Sequence, residues 1–299
     1  MFPPKTVRVP ASSANLGPGF DAFGIALSLY LDCRIQPAER LSIRYTGRDA
    51  QAIPWDASNL IWRTAVEVAE SQGSKMPAIE MAAENGIPLG KGLGSSAAAL
   101  VAGVAIANCA LDLGWDDRRV LDVAARMEGH PDNVAAAVLG SFTTAAIGSN
   151  GVTRAIRLEI PDAFSVAVVC PDFELATKVM RGVLPNVYSK EDAVFNLQRA
   201  TLLVAAFATG SRDAFPDALA DRLHQPYRMG QVPGMEEILN LRLPGLLGCA
   251  LSGAGPSILV LYETGSDETV EAVKRTFEKA GRSAEVIWTT IDRNGLTVF

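Results

Sequence analysis

A glycine-rich segment that leads directly into an alanine-rich run is the feature that most constrains the fold of this chain. Residues 88–98 read PLGKGLGSSAA, with glycines at the alternate positions 90, 92 and 94, and the apolar run continues to Leu113. Glycine favours tight turns, whereas alanine has the highest helix propensity. The segment therefore predicts a loop that feeds a buried helix.

The same loop can bind an anion. Glycines let the backbone approach a phosphate closely, and the helix N-terminus adds unpaired N–H groups and a positive partial charge. Ser95 and Ser96 add hydroxyl groups for phosphate or Mg²⁺. Gly90-Lys91 is followed by Gly92 rather than Ser or Thr, so the segment is neither a P-loop nor a dinucleotide-binding motif. From these residues alone, a turn that simply packs a helix against a sheet remains an alternative.

Composition sets broad limits on the class of protein. The 299 residues allow two lobes or one large domain, and 48% hydrophobic with 20% charged residues is typical of a soluble globular protein. A net charge of −6 disfavours nucleic acid as the main partner. We expect a cytoplasmic protein without a membrane segment, because neither a signal peptide nor 18 consecutive apolar residues occur. The cysteines are expected to be reduced core residues: Cys33, Cys109, Cys170 and Cys249.

Hydrophobic periodicity predicts an α+β protein. The predicted helices span 59–72, capped by Asn59 or Ser58, then Asp116 as N-cap to Met127, and a shorter helix from Pro131. Strands are predicted at 6–9, 41–45, 79–83, 141–147 and 152–158. From Phe164 we expect a strand, several helices up to Leu241, strands at 248–252 and 257–262, a helix at 267–280 and a last strand through Ile287. A boundary near residue 155 would give an N-terminal lobe, 1–155, which carries the glycine-rich loop, and a C-terminal lobe, 156–299.

Three segments resemble one enzyme superfamily. Residues 88–98 are similar to the ATP-binding signature of the galactokinase, homoserine kinase, mevalonate kinase and phosphomevalonate kinase superfamily, and residues 10–21 and 251–257 match it in the same chain order. Segments 10–21, 128–134, 171–185 and 223–228 look most like homoserine kinase. The resemblance spans nearly the entire chain.

The resemblance implies a fold and an assembly. It implies a two-lobed small-molecule kinase fold with an N-terminal lobe like the second domain of ribosomal protein S5 and a ferredoxin-like C-terminal lobe. A homodimer is also expected. The implied activity is ATP-dependent phosphorylation of the hydroxyl of L-homoserine, giving O-phospho-L-homoserine in threonine biosynthesis.

Substrate-binding roles follow from the same resemblance. Homoserine carries a carboxylate, an ammonium and a hydroxyl, so its site needs an arginine fork and a carboxylate or amide. Arg181 and Arg228 match residues that hold the carboxylate. Asn15 and Asp21 match residues that contact the amine and hydroxyl, and His130 is placed against the substrate. By sequence alone, alternatives stay open: surface charges for the two arginines, turn caps for Asn15 and Asp21, and a structural role for either His130 or His224. His224 has no match to a proton-transfer role.

The nucleotide, the metal ion and catalysis are assigned in the same manner. The implied ATP-binding residues are Pro88, Leu89, Gly90, Lys91, Gly92, Leu93, Gly94, Ser95, Ser96, Ala97 and Ala98. Ser96 and Glu128 would hold Mg²⁺. The catalytic candidates are Asp21, Asn133 and Asp132; at Asp132 some relatives keep a base, although homoserine kinases are argued to work without one.

Three other functions remain open at this stage. One is a kinase of the same superfamily that acts on mevalonate or a sugar alcohol. Another is a non-catalytic nucleotide-binding regulator, because a fold does not dictate a function. A nucleic-acid-binding module is suggested by the ribosomal-type lobe, but the acidic charge argues against it.

Overall fold

The computed structural model describes residues 2–299 and shows an α+β protein built around two β-sheets. The strands are β1 (Lys5–Asn15), β2 (Gly19–Pro37), β3 (Ser42–Gly47), β4 (Ile79–Asn85), β5 (Phe142–Ile147), β6 (Thr153–Leu158), β7 (Ser165–Pro171), β8 (Leu246–Leu251), β9 (Ile258–Tyr262), β10 (Ala284–Thr289) and β11 (Thr297–Val298). The α-helices are α1 (Leu60–Ser71), α2 (Ser95–Leu111), α3 (Asp117–Glu128), α4 (Asp132–Leu139), α5 (Thr177–Gly182), α6 (Lys190–Thr209), α7 (Gln225–Arg228), α8 (Met235–Leu239) and α9 (Asp267–Lys279). The predicted α+β class is confirmed.

The first lobe is a seven-stranded mixed sheet covered by α1 to α4. Its order is β11-β1-β2-β4-β3, and β5 joins β2 to β6. The pair β3 and β4 is parallel, whereas the other pairs are antiparallel. Because β11 pairs with β1, the C-terminal residues return to the first lobe.

Local sequence explains how its helices begin. The Asn59 side chain accepts the N–H of Ile61 at 3.0 Å and so caps α1, and Asp116 accepts the N–H of Arg119 at 2.9 Å and caps α3. Both caps confirm the prediction. The alanine-rich α2 is buried along most of its length, and a side chain at Gly103 would overlap Thr64 of α1. The small residues therefore let α1 and α2 pack closely against each other.

The second lobe is a four-stranded antiparallel sheet of order β10-β7-β9-β8. One face packs on α8 and α9 around Phe277. The other face joins the core of the first lobe, where the ring of Phe207 on α6 lies 4.8 Å from that of Phe142 and 5.7 Å from that of Phe164. A continuous hydrophobic core thus fixes the two sheets relative to each other.

The structure differs from the sequence prediction mainly near the N-terminus. Strand β2 was not predicted, and β1 is longer than the predicted 6–9. The segment 10–21 consists of two strand ends and a short turn. Strands with a polar, glycine-containing sequence lack the alternation that predicts a strand. The proposed division at residue 155 falls inside β6 and stays a prediction.

Two further findings concern the cysteines and the membrane. All four cysteines are free thiols, and those at 33, 170 and 249 are buried, as expected. None of the helices in residues 2–299 combines the length and the apolar character that crossing a membrane requires.

Candidate active site

One cavity of 310 Å³ lies between the lobes and collects most of the candidate residues. The glycine turn before α2 and the link from α3 to α4 contribute from the first lobe. The start of α5, the residue Arg228 of α7 and the turn after β8 contribute from the second lobe. Both lobes are therefore needed to form the cavity.

The glycine turn is shaped by backbone conformations that other residues rarely adopt. Gly90, Gly92 and Gly94 have φ of 65°, 76° and 69°, in the left-handed region. A Cβ atom at Gly92 would overlap the carbonyl oxygen of Ser252 in the second lobe. The alternate glycines are thus required both by the turn and by its contact with the other lobe.

The turn ends at the N-terminus of α2, with Gly94 as the N-cap residue. Ser95 and Ser96 occupy the first turn, whose N–H groups have no carbonyl partners within the helix. These donors and the positive end of the helix dipole face the cavity. The arrangement suits a phosphate group.

The Lys91 side chain is directed away from the cavity. Its ammonium donates to the carbonyl oxygens of Pro171 at 2.9 Å and Phe173 at 2.8 Å, at the end of β7. It does not line the cavity. The lysine thus joins the glycine turn to the second lobe.

The turn between β1 and β2, whose ends also line the cavity, is held by Asn15. Its Oδ1 accepts the N–H of Asp21 at 3.0 Å, and its Nδ2 donates to the carbonyl oxygen of Gly253 at 2.8 Å. Asn15 and Asp21 both have positive φ, 71° and 55°. Asn15 therefore fixes the position of the Asp21 carboxylate and also connects it to the second lobe.

Arg181 meets this carboxylate in a fork. Its Nη2 lies 2.7 Å from Oδ1 of Asp21 and its Nη1 lies 3.0 Å from Oδ2. The hydrogen bond to Asp21, which outweighs partial burial, raises the pKa of the Arg181 guanidinium. Both side chains remain about one-third exposed, so a ligand can reach the pair.

Arg228 is, by contrast, buried, with 1% of its surface exposed. Its Nε donates to the carbonyl of Met180 at 3.1 Å, and its Nη1 lies 3.1 Å from both the carbonyl of Gly253 and Nδ1 of His224. Burial, with a smaller repulsion from Arg181, lowers the pKa of Arg228 to about 10. The residue is still a cation at neutral pH, and none of these partners is an anion.

Three acidic and basic side chains come from the end of α3, the start of α4 and the link between them. Glu128 accepts a hydrogen bond from the Ser96 hydroxyl at 3.2 Å, and Oδ1 of Asp132 lies 2.9 Å from Nδ1 of His130. Burial raises the pKa of Glu128. The hydrogen bond to Asp132 raises the pKa of His130. These groups form one linked set on the cavity wall.

Asn133 anchors the same wall. Its backbone N–H donates to Oδ1 of Asp132 at 2.8 Å, and its side-chain oxygen accepts the hydroxyl of Ser12 at 2.9 Å. Asp132 and Asn133 are both buried at the first turn of α4. Their side chains are thus held in fixed positions at the cavity surface.

Most predicted site residues line this cavity: Asn15, Asp21, Gly90, Gly92, Leu93, Gly94, Ser95, Ser96, Glu128, His130, Asp132, Asn133, Arg181 and Arg228. Pro88, Leu89, Lys91, Ala97 and Ala98 do not line it, and the last two are buried in the core. Sequence reasoning did not assign Leu175, Ala176, Thr177, Gly253, Ala254 and Gly255, which also line it. Their segments were noticed, but only the fold shows that they reach the cavity.

A metal ion would find few protein ligands here. In the described part of the chain, no three or more His, Cys, Asp or Glu side chains are grouped as a metal site. The oxygens of Ser96 and Glu128, 3.2 Å apart, form a smaller oxygen pair beside the phosphate turn. Such a pair fits Mg²⁺, which binds one or two protein oxygens and takes its other ligands from phosphates and water.

Comparisons with known proteins identify the family. The family models for the N-terminal and C-terminal domains of GHMP kinases match residues 59–141 and 203–282. The homoserine kinase of Solibacter usitatus is 58% identical over 97% of this chain and 95% of its own length, and that of Deinococcus radiodurans is 43% identical over 99% and 97%. A crystal structure of homoserine kinase from Cytophaga hutchinsonii superposes with a TM-score of 0.86 at 28% identity, covering 99% of this chain and 97% of that one. The chain therefore belongs to the homoserine kinase family of the GHMP kinases.

Proposed function

We propose that this protein transfers the γ-phosphoryl group of ATP to the hydroxyl of L-homoserine, giving ADP and O-phospho-L-homoserine. One observation carries the proposal: a phosphate-binding turn and two arginines flanked by a carboxylate line the same cavity. The turn suits the triphosphate, and the arginines and the carboxylate suit an amino acid. Membership of the homoserine kinase family supports the same substrate pair.

ATP would bind with its terminal phosphates at the glycine turn. The residues from Gly90 to Ser96 supply backbone N–H groups and the positive end of α2. Ser96 and Glu128 would hold Mg²⁺, which when bound neutralises phosphate charge that develops during transfer. Burial raises the pKa of Glu128, and a cation bound beside it would offset this effect by favouring the charged carboxylate.

The amino acid would bind at the opposite end. Arg228 and Arg181 would bind the α-carboxylate, and the Asp21 carboxylate would bind the α-ammonium. Because Asp21 is already forked to Arg181, the two substrate charges would meet an existing pair of opposite charges. This complementarity favours an amino acid over an alcohol that lacks the amine.

Transfer requires a bond from the homoserine hydroxyl oxygen to the γ-phosphorus and cleavage of the bond from that phosphorus to the β–γ bridging oxygen, which leaves with ADP. The hydroxyl also loses a proton. Asp132, whose carboxylate is hydrogen-bonded to His130 and Asn133, is held in a fixed position on the cavity wall and is our candidate acceptor. Phosphoryl transfer depends mainly on positioning and charge stabilisation, so we expect the base to contribute less than the phosphate turn.

A coupled assay of ADP release tests the proposal. With ATP and Mg²⁺ fixed, L-homoserine is compared with mevalonate, galactose and shikimate, and homoserine should give the highest kcat/KM. Two analogues dissect the site: L-homoserine amide lacks the carboxylate and 4-hydroxybutyrate lacks the ammonium, and each should be a much poorer substrate. Turnover of mevalonate without turnover of homoserine would overturn the proposal. No ADP release with any alcohol would indicate a non-catalytic regulator.

Cytoplasmic threonine biosynthesis and a homodimer belong to the same proposal. The exposed apolar side chains of Val194, Leu197 and Leu202 on α6 support an interface between two copies. Light scattering coupled to gel filtration should give the mass of two chains. A monomer mass at assay concentration would contradict the dimer but not the activity.

A further inference from the structure

His224 lies outside the cavity wall and has no proton-transfer role in the proposed reaction, yet it is fully buried at the junction of the two lobes. Its ring stacks on Phe20 of β2, with ring centroids 5.4 Å apart. It is one of only two histidines in the chain. A buried polar ring with no role in the reaction must have hydrogen-bond partners, because burying it without them would be costly in free energy.

Both ring nitrogens have partners that determine where the proton lies. Nε2 is 2.7 Å from the carbonyl oxygen of Gly17, and a carbonyl only accepts, so Nε2 carries the hydrogen. Nδ1 is 3.1 Å from Nη1 of Arg228, and a guanidinium only donates, so Nδ1 must present its lone pair. The hydrogen bonds therefore require the neutral Nε2–H tautomer.

The surrounding charges agree with a neutral ring. Asp221 lies 3.5 Å from Nε2, but its carboxylate already accepts the backbone N–H groups of Leu223, His224 and Gln225. Burial lowers the pKa of His224; Asp221 and the more remote Asp21 oppose that effect, and Arg228 adds to it. Protonation at Nδ1 would set an N–H against the guanidinium and place two cations in contact.

The contact with His224 also decides which edge of Arg228 a ligand can use. Within residues 2–299 the hydrogen bonds of Arg228 engage Nε and Nη1, the latter with both His224 and the Gly253 carbonyl. The N–H groups of Nη2 have no protein acceptor there. The other titratable neighbours of the guanidinium are Arg181, Asp21, Asp221 and Tyr188, and within the described residues none of them accepts a hydrogen bond from it. Nη2 is thus left for an anion in the cavity.

We propose that His224 is a positioning residue: as the neutral Nε2–H tautomer, it orients Arg228 so that Nη2 faces the substrate carboxylate, and it ties this arginine to the turn that presents Asp21. The Gly17 carbonyl belongs to that turn, between β1 and β2. One ring thus couples the two parts of the amino-acid site that come from different lobes. The proposal rests on the proposed function, since the carboxylate is that of homoserine.

Nuclear magnetic resonance of the unliganded protein tests the tautomer without an activity measurement. With ¹⁵N-histidine labelling, two imidazole patterns are expected, and His224→Asn assigns them by removing one. The His224 pattern should show a protonated Nε2 and an unprotonated Nδ1, unchanged from pH 6 to pH 8. A protonated Nδ1, or titration of His224 within that range, would overturn the proposal.

Steady-state kinetics test the positioning role. His224→Leu removes both hydrogen bonds and should raise the homoserine KM by about 10- to 100-fold, as expected for a misplaced binding group, with the ATP KM within about two-fold. His224→Asn can place an amide oxygen near Nδ1 and accept from Arg228, so it should recover most of the homoserine affinity. Phe277→Leu, in the core of the second lobe, is the control for lost packing and should change neither KM.

The kinetic and the NMR measurements together distinguish a failure of the positioning role from a failure of the proposed function. A homoserine KM for folded His224→Leu within two-fold of the parent value, or an equal rise in the ATP KM, would overturn the positioning role. If His224→Leu does not fold, the tautomer measured on the parent protein still decides. A parent enzyme that does not phosphorylate homoserine would contradict the proposed function, whereas the tautomer of His224 would be measured as before.

Discussion

The two ends of the cavity present different kinds of chemical group. At the end proposed to bind phosphate, residues between Gly90 and Ser96 offer mainly backbone N–H groups and a helix N-terminus. At the amino-acid end, charged side chains from distant parts of the chain meet, with Asp21 from the first lobe and Arg181 and Arg228 from the second. Binding at the first end depends on the conformation of the backbone, whereas binding at the second end depends on how the two lobes pack together.

This difference predicts different sensitivity to substitution. A backbone site is indifferent to most side chains but requires glycine where φ is positive and space is absent. A side-chain site depends on the identity of each charged group and on the neutral partners that hold it. Substitutions at the two ends should therefore separate ATP binding from homoserine binding.

Gly92→Ala should have the largest effect. Its Cβ would overlap the Ser252 carbonyl, so the turn must move and its phosphate donors with it. We expect kcat/KM for ATP to fall by about 10³-fold, the upper range for loss of preorganised backbone donors. Gly73→Ala is the matched control, because Gly73 also has positive φ, 66°, but its Cβ would meet nothing within 4 Å. Similar losses in both variants would show that backbone strain alone, rather than the turn's position, matters.

Arg228→Ala should affect the other end, raising the homoserine KM by about 10²-fold while changing the ATP KM little. Loss of a buried charged group that also leaves carbonyl and imidazole partners unpaired is worth about 2–5 kcal/mol. Initial rates with each substrate varied in turn measure both constants. Arg242→Ala, an exposed arginine that also donates to backbone carbonyls, is the control. Equal rises in the two KM values would contradict the separation of the two ends.

Glu128→Gln tests the proposed Mg²⁺ ligand. The substitution keeps the size of the side chain and removes its charge, so the Mg²⁺ concentration for half-maximal rate should rise by about ten-fold or more. A Mg²⁺ titration at saturating substrates measures the shift, with exposed Glu70→Gln on α1 as control. An unchanged Mg²⁺ requirement would remove Glu128 from the metal site.

Lys91→Met should have the smallest kinetic effect, although a lysine in a phosphate turn suggests a phosphate ligand. Because its ammonium is bound by the Pro171 and Phe173 carbonyls, the ATP KM should change by less than about three-fold, while the free energy of unfolding should fall by about 1–2 kcal/mol. Kinetics and thermal unfolding, with exposed Lys75→Met as control, measure both. A ten-fold rise in the ATP KM would show that Lys91 leaves the carbonyls to bind phosphate.

The sequence correctly indicated much of the fold because many of its signals are local. The caps Asn59 and Asp116, the glycine turn and the alanine-rich α2 all act within a few residues of chain. Strand β2 was missed because its pairing with β1, β4 and β5 depends on residues far away in sequence. Lys91 was assigned to ATP from its position in the motif, whereas the structure places its side chain on the second lobe.

By itself, the sequence indicated the glycine turn before α2, since glycine tolerates the left-handed backbone conformations that such a turn needs, and it indicated the family through motifs spread over nearly the entire chain. Only the tertiary structure decided that Asp21 is forked to Arg181, that Arg228 is buried among neutral acceptors, and that His224 joins the two lobes. The physical reason is the distance in sequence over which each effect acts. Turn and helix preferences act between neighbouring residues. The burial and the hydrogen-bond partners of a charged side chain depend on segments that meet only after the lobes have packed together.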